Sequence, residues 1–212
     1  MAEIFGKMAE SLIAGRVDDV VGLTKEALDG GSLPQDILEQ GLLAGMDVVG
    51  QRFKANEMFI PEVLRCAKCM HGSMEILRPL LVAAGAKTAG TFVIGTVKGD
   101  LHDIGKNLVG MMFEGAGFQV VDIGIDKEPQ EFVDAIKEHQ ASLFGMSALL
   151  TTTMPKMGET INAIKEAGIR DQVKIMVGGA PVTAKFAEEI GADGYASNAA
   201  SAVDRGKELL GL

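Results

Sequence analysis

From Thr91 to Leu210 short apolar runs alternate with stretches of helical period, and nothing else in the chain constrains its fold so strongly. Thr91–Thr96, Phe118–Ile123, Leu143–Ser147, Val173–Val177 and Gly194–Ala196 read as strands. Helical patterns follow them over Ile104–Gly115, Pro129–Glu138, Met154–Ala167, Val182–Ile190 and Ala199–Leu210. Strands joined through helices pair in parallel, by right-handed crossovers, with helices on both faces of the sheet. Burial on two faces explains runs that are apolar throughout. Such sheets bind ligands beyond the carboxyl ends of their strands, where the strand order reverses. The loops after Thr96, Ser147 and Val177 are therefore the ones to inspect.

Residues 1–87 follow another grammar and read as helices only. Ile4, Met8 and Leu12 mark a first helix, and Val17 to Leu28 a second that stops at Gly30-Gly31. Ser32-Leu33-Pro34-Gln35 has the spacing of a capping box. Leu38, Leu42, Met46, Val49 and Phe53 then share one face. Pro61 suits a first helical turn. Val63, Ala67, Met70, Met74, Leu77 and Leu81 form a near-heptad stripe that Pro79 is expected to bend or end. The fold class is thus α/β: a four-helix bundle over 1–87, then a five-stranded, flavodoxin-like parallel domain over 88–212.

Composition narrows the function. At 212 residues, with 47% hydrophobic and 23% charged, the chain can bury cores for two small domains. A net charge of −9 argues against a nucleic-acid binder or an anionic-membrane protein. Two cysteines and three histidines are too few for a disulfide framework or a zinc-ribbon array. No apolar stretch approaches the ~18 residues of a membrane span. The start, MAEIFGKMAES, has no apolar signal region. The expected location is cytoplasmic. The 27 glycines and 12 methionines ask for a reason.

The first loop reads Lys98-Gly99-Asp100-Leu101-His102-Asp103-Ile104-Gly105. A carboxylate two residues from an imidazole can accept its Nδ1–H, fix the tautomer and free Nε2 for a metal. An Asp that merely caps the next helix explains the same pair. Ser147, Thr151, Thr152 and Thr153 cluster in the second loop, where helix capping accounts for one or two hydroxyls. Gly178-Gly179 in the third lets something approach the backbone, or simply turns the chain. Cys66 and Cys69 form a C-x-x-C mid-helix, outside any redox or metal context, and read as buried small hydrophobes.

Together, Asp100-x-His102-x-x-Gly105, Ser147-x-Leu149 and Gly178-Gly179 resemble the signature of the cobalamin-binding domain, and Gly191–Ala196 resembles its end segment. Asn56–Pro61 and Met74–Leu81 resemble hallmark segments of the helical cap in corrinoid methyltransferase proteins. The resemblance spans the whole chain. It is nearest to the free-standing corrinoid proteins of methylamine, methanol and betaine methyltransferase systems, and to the cobalamin module of methionine synthase. It implies cobalamin bound base-off and His-on. His102 would be the cobalt ligand, Asp100 its acceptor, and Thr153 the hydroxyl beyond, where the family usually has Ser. Asp103, Ile104, Gly105, Ser147, Leu149, Thr151, Gly178, Gly179, Tyr195 and Ala196 would line the slot for the displaced nucleotide tail and the corrin's lower side. Side chains at Gly105 or Gly178 would fill volume the tail needs. Met58, Phe59 and Val63 would face the corrin from the cap, with Met70 and Met74 weaker candidates.

The implied function is a methyl carrier, not catalytic alone. It would accept a methyl group on Co(I) from a substrate-specific methyltransferase of methylamine, betaine or methanol type. It would pass that group from Co(III) to a second methyltransferase with coenzyme M or tetrahydrofolate as acceptor. A reductive activase would rescue Co(II). Leu81–Gly90 would serve as the hinge of the cap. The alternative is a cobalamin-dependent sensor, which usually adds a DNA-binding module.

Overall fold

The computed structural model describes residues 2–85 and 88–212. Ala86 and Lys87 of the expected hinge, and with them the expected boundary at 87/88, lie outside the described residues. The chain forms two compact units, Met1–Thr88 with Glu114–Gly117, and Ala89–Phe113 with Phe118–Leu212.

The first unit is helical: α1 (Ala2–Ile13), α2 (Val17–Asp29), α3 (Pro34–Asp36), a π-helical stretch Ile37–Leu43 running straight into α4 (Ala44–Lys54), and α5 (Ile60–Ala83). Its core includes Met8, Leu12, Val20, Ile37, Leu42, Val49, Val63, Met70 and Leu77. The buried Thr24 hydroxyl lies 2.9 Å from Ser73 Oγ and 2.8 Å from the Val20 carbonyl, so neither side chain is left unsatisfied between α2 and α5. Gly41 and Gly45 let α1 approach closely: a Cβ on Gly41 would fall 2.6 Å from Met8 Sδ.

Three sequence expectations change here. The reciprocal half of the capping box does not form, because Ser32 N–H donates to the Ala27 carbonyl and Gln35 Oε1 accepts no hydrogen bond among the described residues. Gln35 Nε2 donates to Glu39 instead. The widened π turn presents Ile37 and Gly41 to the core and leaves Leu38 half-buried. Finally, α5 runs through Pro79 to Ala83. Pro79 and Glu75, whose carbonyl loses its partner there, are both exposed, so the ring sits on the outer side of the helix, away from its buried face.

The second unit is built on five parallel strands: β1 (Thr91–Thr96), β2 (Gln119–Asp122), β3 (Leu143–Ser147), β4 (Lys174–Gly178) and β5 (Gly194–Tyr195), in the order β2-β1-β3-β4-β5. The helices are α6 (Ile104–Glu114), α7 (Pro129–Glu138), α8 (Pro155–Glu166), α9 (Ala184–Ile190) and α10 (Ala199–Leu210). One core cluster holds Val93, Phe132, Phe144, Met157, Ile161 and Ile175. Phe92 and Phe113 stack at 4.0 Å between ring centroids. The central strands are therefore buried on both sides, whereas edge strand β2 is half-exposed. The buried Lys106 of α6 pairs with Asp122 at the end of β2 and donates to Asn107 Oδ1 at 2.7 Å, which pins the start of α6 to the sheet. The chain leaves β1 for β2 on one side and returns to β3 on the other. The strand order thus reverses between β1 and β3, in register through Thr96↔Ser147.

Candidate functional site

The loop from β1 to α6 begins with a turn at Val97–Asp100, closed by Asp100 N–H donating to the Val97 carbonyl at 3.1 Å. Gly99 occupies its third position with φ +81, a left-handed conformation that favours glycine. The turn drops the Asp100 side chain inward, where it is fully buried, and leaves His102 half-exposed. Thr96 Oγ1 donates to the His102 carbonyl at 2.9 Å and ties the loop back to the strand.

Asp100 organises everything around it. Its Oδ1 lies 2.7 Å from His102 Nδ1 and accepts the His102 backbone N–H at 3.1 Å. Its Oδ2 accepts the Thr153 hydroxyl at 2.7 Å and the N–H groups of Leu149 and Leu150 at 2.7 and 3.2 Å. Burial alone raises the pKa of this carboxyl. The opposing hydrogen bonds from Thr153, His102 and Leu149 outweigh burial and hold the group well below the usual carboxylate range. A carboxylate at Oδ1 makes His102 Nδ1 the donor, so Nε2 carries the lone pair. Among the described residues Nε2 has no hydrogen-bond partner.

The hydroxyl cluster after β3 does not cap α8. The cap position is Met154, without a side-chain bond. Thr153 is buried and points to Asp100, while Thr151 and Thr152 are exposed. Ser147 ends β3, and Leu149 is 42% exposed. Asp103, Ile104 and Gly105 are exposed at the start of α6, with Asp103 Oδ2 accepting from Asn107. Gly178 ends β4, and Tyr195 ends β5 with Ala196 just beyond. All these residues share the carboxyl edge of one sheet. Met58, Phe59 and Val63 belong to the helical unit; Met58 and Val63 are buried and Phe59 is exposed. Met70 is buried and Met74 half-buried.

The glycines separate into two kinds. A Cβ on Gly105 would meet nothing within 4 Å, and one on Gly178 only the Ala196 carbonyl at 3.7 Å. Gly105 thus borders open space, and a side-chain carbon at Gly178 would make an ordinary contact. Gly179 instead has φ +131, and its Cβ would lie 1.8 Å from the Ala148 carbonyl oxygen. Its missing side chain is demanded by the backbone itself, a reason separate from room for a ligand.

Sequence reasoning passed over three residues. Leu101 is 68% exposed and Leu150 41%, and with Ile104 and Leu149 they put apolar side chains in the two loops that meet at Asp100. The signal for Leu101 was an apolar residue wedged inside a polar loop. The third is Asp126, in the loop after β2. It accepts the Gly99 N–H at 2.8 Å, and no local motif marks it. Cys66 and Cys69 are buried free thiols. Burial, and then Cys66 beside it, pushes the Cys69 thiol up to about 11, as expected of an inert packing residue. Among the described residues no group of three or more His, Cys, Asp and Glu side chains is arranged to hold a metal ion. Among the described residues no helix is long and apolar enough to cross a membrane.

Known proteins align with this geometry. Residues 90–204 match the family described as B12 binding domain, and residues 4–78 match a second family of the same description. A dimethylamine corrinoid protein of Methanosarcina barkeri is 44% identical over 210 residues, covering 98% of each chain. A trimethylamine corrinoid protein of Methanosarcina acetivorans is 41% identical over 98% of this chain and 97% of that one. The crystal structure of the methanol:cobalamin methyltransferase complex from Methanosarcina barkeri contains a chain that superposes with a TM-score of 0.89 at 30% identity, covering 99% of this chain and 80% of that one.

Proposed function

The chain belongs to the corrinoid proteins of methyltransferase systems, and from that premise we propose that it carries methyl groups between two enzymes on a corrinoid held base-off by His102. One observation carries this reading. His102 Nδ1 is fixed against a buried carboxylate at 2.7 Å, and its partnerless Nε2 belongs to the loop at the strand edge where Gly105 borders open space. The residues fit the group: a neutral imidazole ligand with its second nitrogen engaged, an apolar surround for a macrocycle, and side-chain-free space for a nucleotide tail.

When bound, the corrinoid supplies the group-transfer chemistry through its cobalt, which the protein orients and tunes. Asp100 holds the tautomer that aims the Nε2 lone pair outward. Thr153 and the Leu149 and Leu150 N–H groups keep Asp100 ionised and in place. With or without a ligand on Nε2, Asp100 Oδ1 holds Nδ1–H and with it the orientation of the ring. Asp103, Ile104, Ser147, Thr151, Gly179, Tyr195 and Ala196 complete the slot, with Phe59 the exposed member of the trio proposed for the corrin's other side. The partners we propose are a methyltransferase of methylamine, betaine or methanol type as donor, a coenzyme M or tetrahydrofolate methyltransferase as acceptor, and a reductive activase. Likeness to a dimethylamine corrinoid protein supports a methylamine-type donor as the first to try.

The test is to load the full chain with cobalamin, remove free cofactor, and record the absorption spectrum beside that of His102→Ala. Stoichiometric corrinoid with a base-off, His-on spectrum that the variant loses is the expected result. Absence of retained corrinoid in the parent protein would overturn the reading. Turnover with purified dimethylamine, betaine and methanol methyltransferases then assigns the donor.

A further inference from the structure

The loop after β2 does more than connect to α7. Beyond the end of β2 it keeps pairing with β1 and its loop. Ile123 N–H donates to the Ile94 carbonyl, Thr96 N–H to the Gly124 carbonyl and Lys127 N–H to the Thr96 carbonyl, at 2.9, 2.9 and 3.0 Å. At the tip of this extension stands Asp126 with φ +55, a left-handed conformation uncommon for any residue but glycine and best tolerated by Asn and Asp. That conformation turns both its N–H and its carboxylate onto the same neighbour. The N–H donates to the Asp100 carbonyl at 3.1 Å, and Oδ1 accepts the Gly99 N–H at 2.8 Å. Lys98 Nζ lies 3.4 Å from the same oxygen and 3.3 Å from Glu128 Oε1, which balances the charge at the tip.

Gly99 and Asp100 are the two residues whose conformation decides where Asp100 and His102 point. Gly99 carries the left-handed φ of the turn, and its N–H is not used by the turn's own closing bond. Without an acceptor that N–H would be free, and the Gly99 peptide could flip at small cost. We infer that Asp126 is a positioning residue for the proposed ligand histidine, clamping the Gly99–Asp100 backbone from outside so that the Asp100–His102 pair is set before a corrinoid arrives. The inference rests on the reading of His102 as the axial ligand. It goes beyond the three residues of the Asp100–His102–Thr153 set, because Asp126 lies on a different strand–helix connection and touches neither His102 nor Thr153 in the hydrogen-bond pattern.

The acceptor and the backbone conformation can be separated. Asp126→Gly keeps the left-handed φ and loses the acceptor. Asp126→Asn keeps both and loses the charge. In the cofactor-free full chain, Gly99 amide exchange is expected to speed up by about tenfold or more in Asp126→Gly, the scale of one charge-assisted hydrogen bond. The ring ¹⁵N shifts of His102 should move from a single Nδ1–H tautomer towards a mixture. After loading with cobalamin and reduction to Co(II), the nitrogen splitting from the axial histidine in the electron paramagnetic resonance spectrum should weaken in Asp126→Gly and return in Asp126→Asn. Asp126→Gly indistinguishable from the parent in exchange, ring shifts and splitting overturns the inference, as does Asp126→Asn behaving like Asp126→Gly. A parent protein without any nitrogen splitting refutes the ligand reading instead. In that case the exchange and ring-shift data on the cofactor-free protein still decide the role of Asp126.

Discussion

The loops after β1 and after β4 lie at the same edge of one sheet, and they are held by opposite means. The first is fixed by polar contacts converging on one buried carboxylate: Asp100 receives bonds from His102, Thr153, Leu149 and Leu150. The second is fixed by the absence of side chains: Gly179 passes so close to Ala148 that a Cβ would strike its carbonyl. A loop built the first way can present a charged or metal-binding group with a set orientation, because donors on a neighbouring element over-determine it. A loop built the second way can present a smooth backbone wall, and its shape fails as soon as one carbon is added.

Substitutions can break or sharpen that contrast. The largest effect is expected for Asp100→Asn, whose amide nitrogen would face donors on one side or the other whichever way it flips. Stability to urea should fall by about 3 kcal/mol or more, since several buried donors lose a charged acceptor at once. An Asn variant as stable as the parent would mean that the carboxylate does not organise the loop. Next comes Gly179→Ala, with a forbidden contact and a left-handed backbone together, expected to cost roughly 2–3 kcal/mol. Gly178→Ala should cost under about 1 kcal/mol, because its Cβ would make ordinary contact. Equal losses in the two would show that the close approach at Ala148 is not what shapes this loop.

Thr153→Val removes one donor from Asp100 and should cost about 1–2 kcal/mol, with Thr153→Ser near the parent. The comparison of those two isolates the hydroxyl from the packing of the side chain. The smallest change in stability, and the most informative, is Gly105→Ala. Its Cβ meets open space at a helical position, so the cofactor-free protein should gain roughly 0.5–1 kcal/mol. Corrinoid retention should fall about tenfold, as expected when one carbon intrudes on a filled volume. Stability and binding that move in the same direction would remove Gly105 from the slot.

Much of this was legible in the residue order. The five apolar runs and their intervening helices predicted the parallel sheet, because two-sided burial leaves a pattern in sequence. Asp100 and His102 could be paired from their spacing because a tight loop brings residues two apart within reach. The helical unit was legible in outline, but its third helix was not. A π stretch shifts the inward face by a fraction of a turn, and no local residue announces it. The persistence of α5 through Pro79 depended on solvent exposure, which is a property of packing.

Residue types and spacing by themselves determined the fold class and the strand edge to inspect, since both follow from periodicity, and they put His102 within reach of Asp100; the role proposed for His102 came from the resemblance to the cobalamin-binding domain. Tertiary structure alone decided that Leu149 and Leu150 N–H groups also converge on Asp100, that Gly179 passes too close to Ala148 to carry a side chain, and that Asp126 grips the Gly99–Asp100 backbone from another connection. Those are contacts between residues 27 to 50 positions apart. Their geometry is set by how strands stack in a sheet, and no local pattern encodes it.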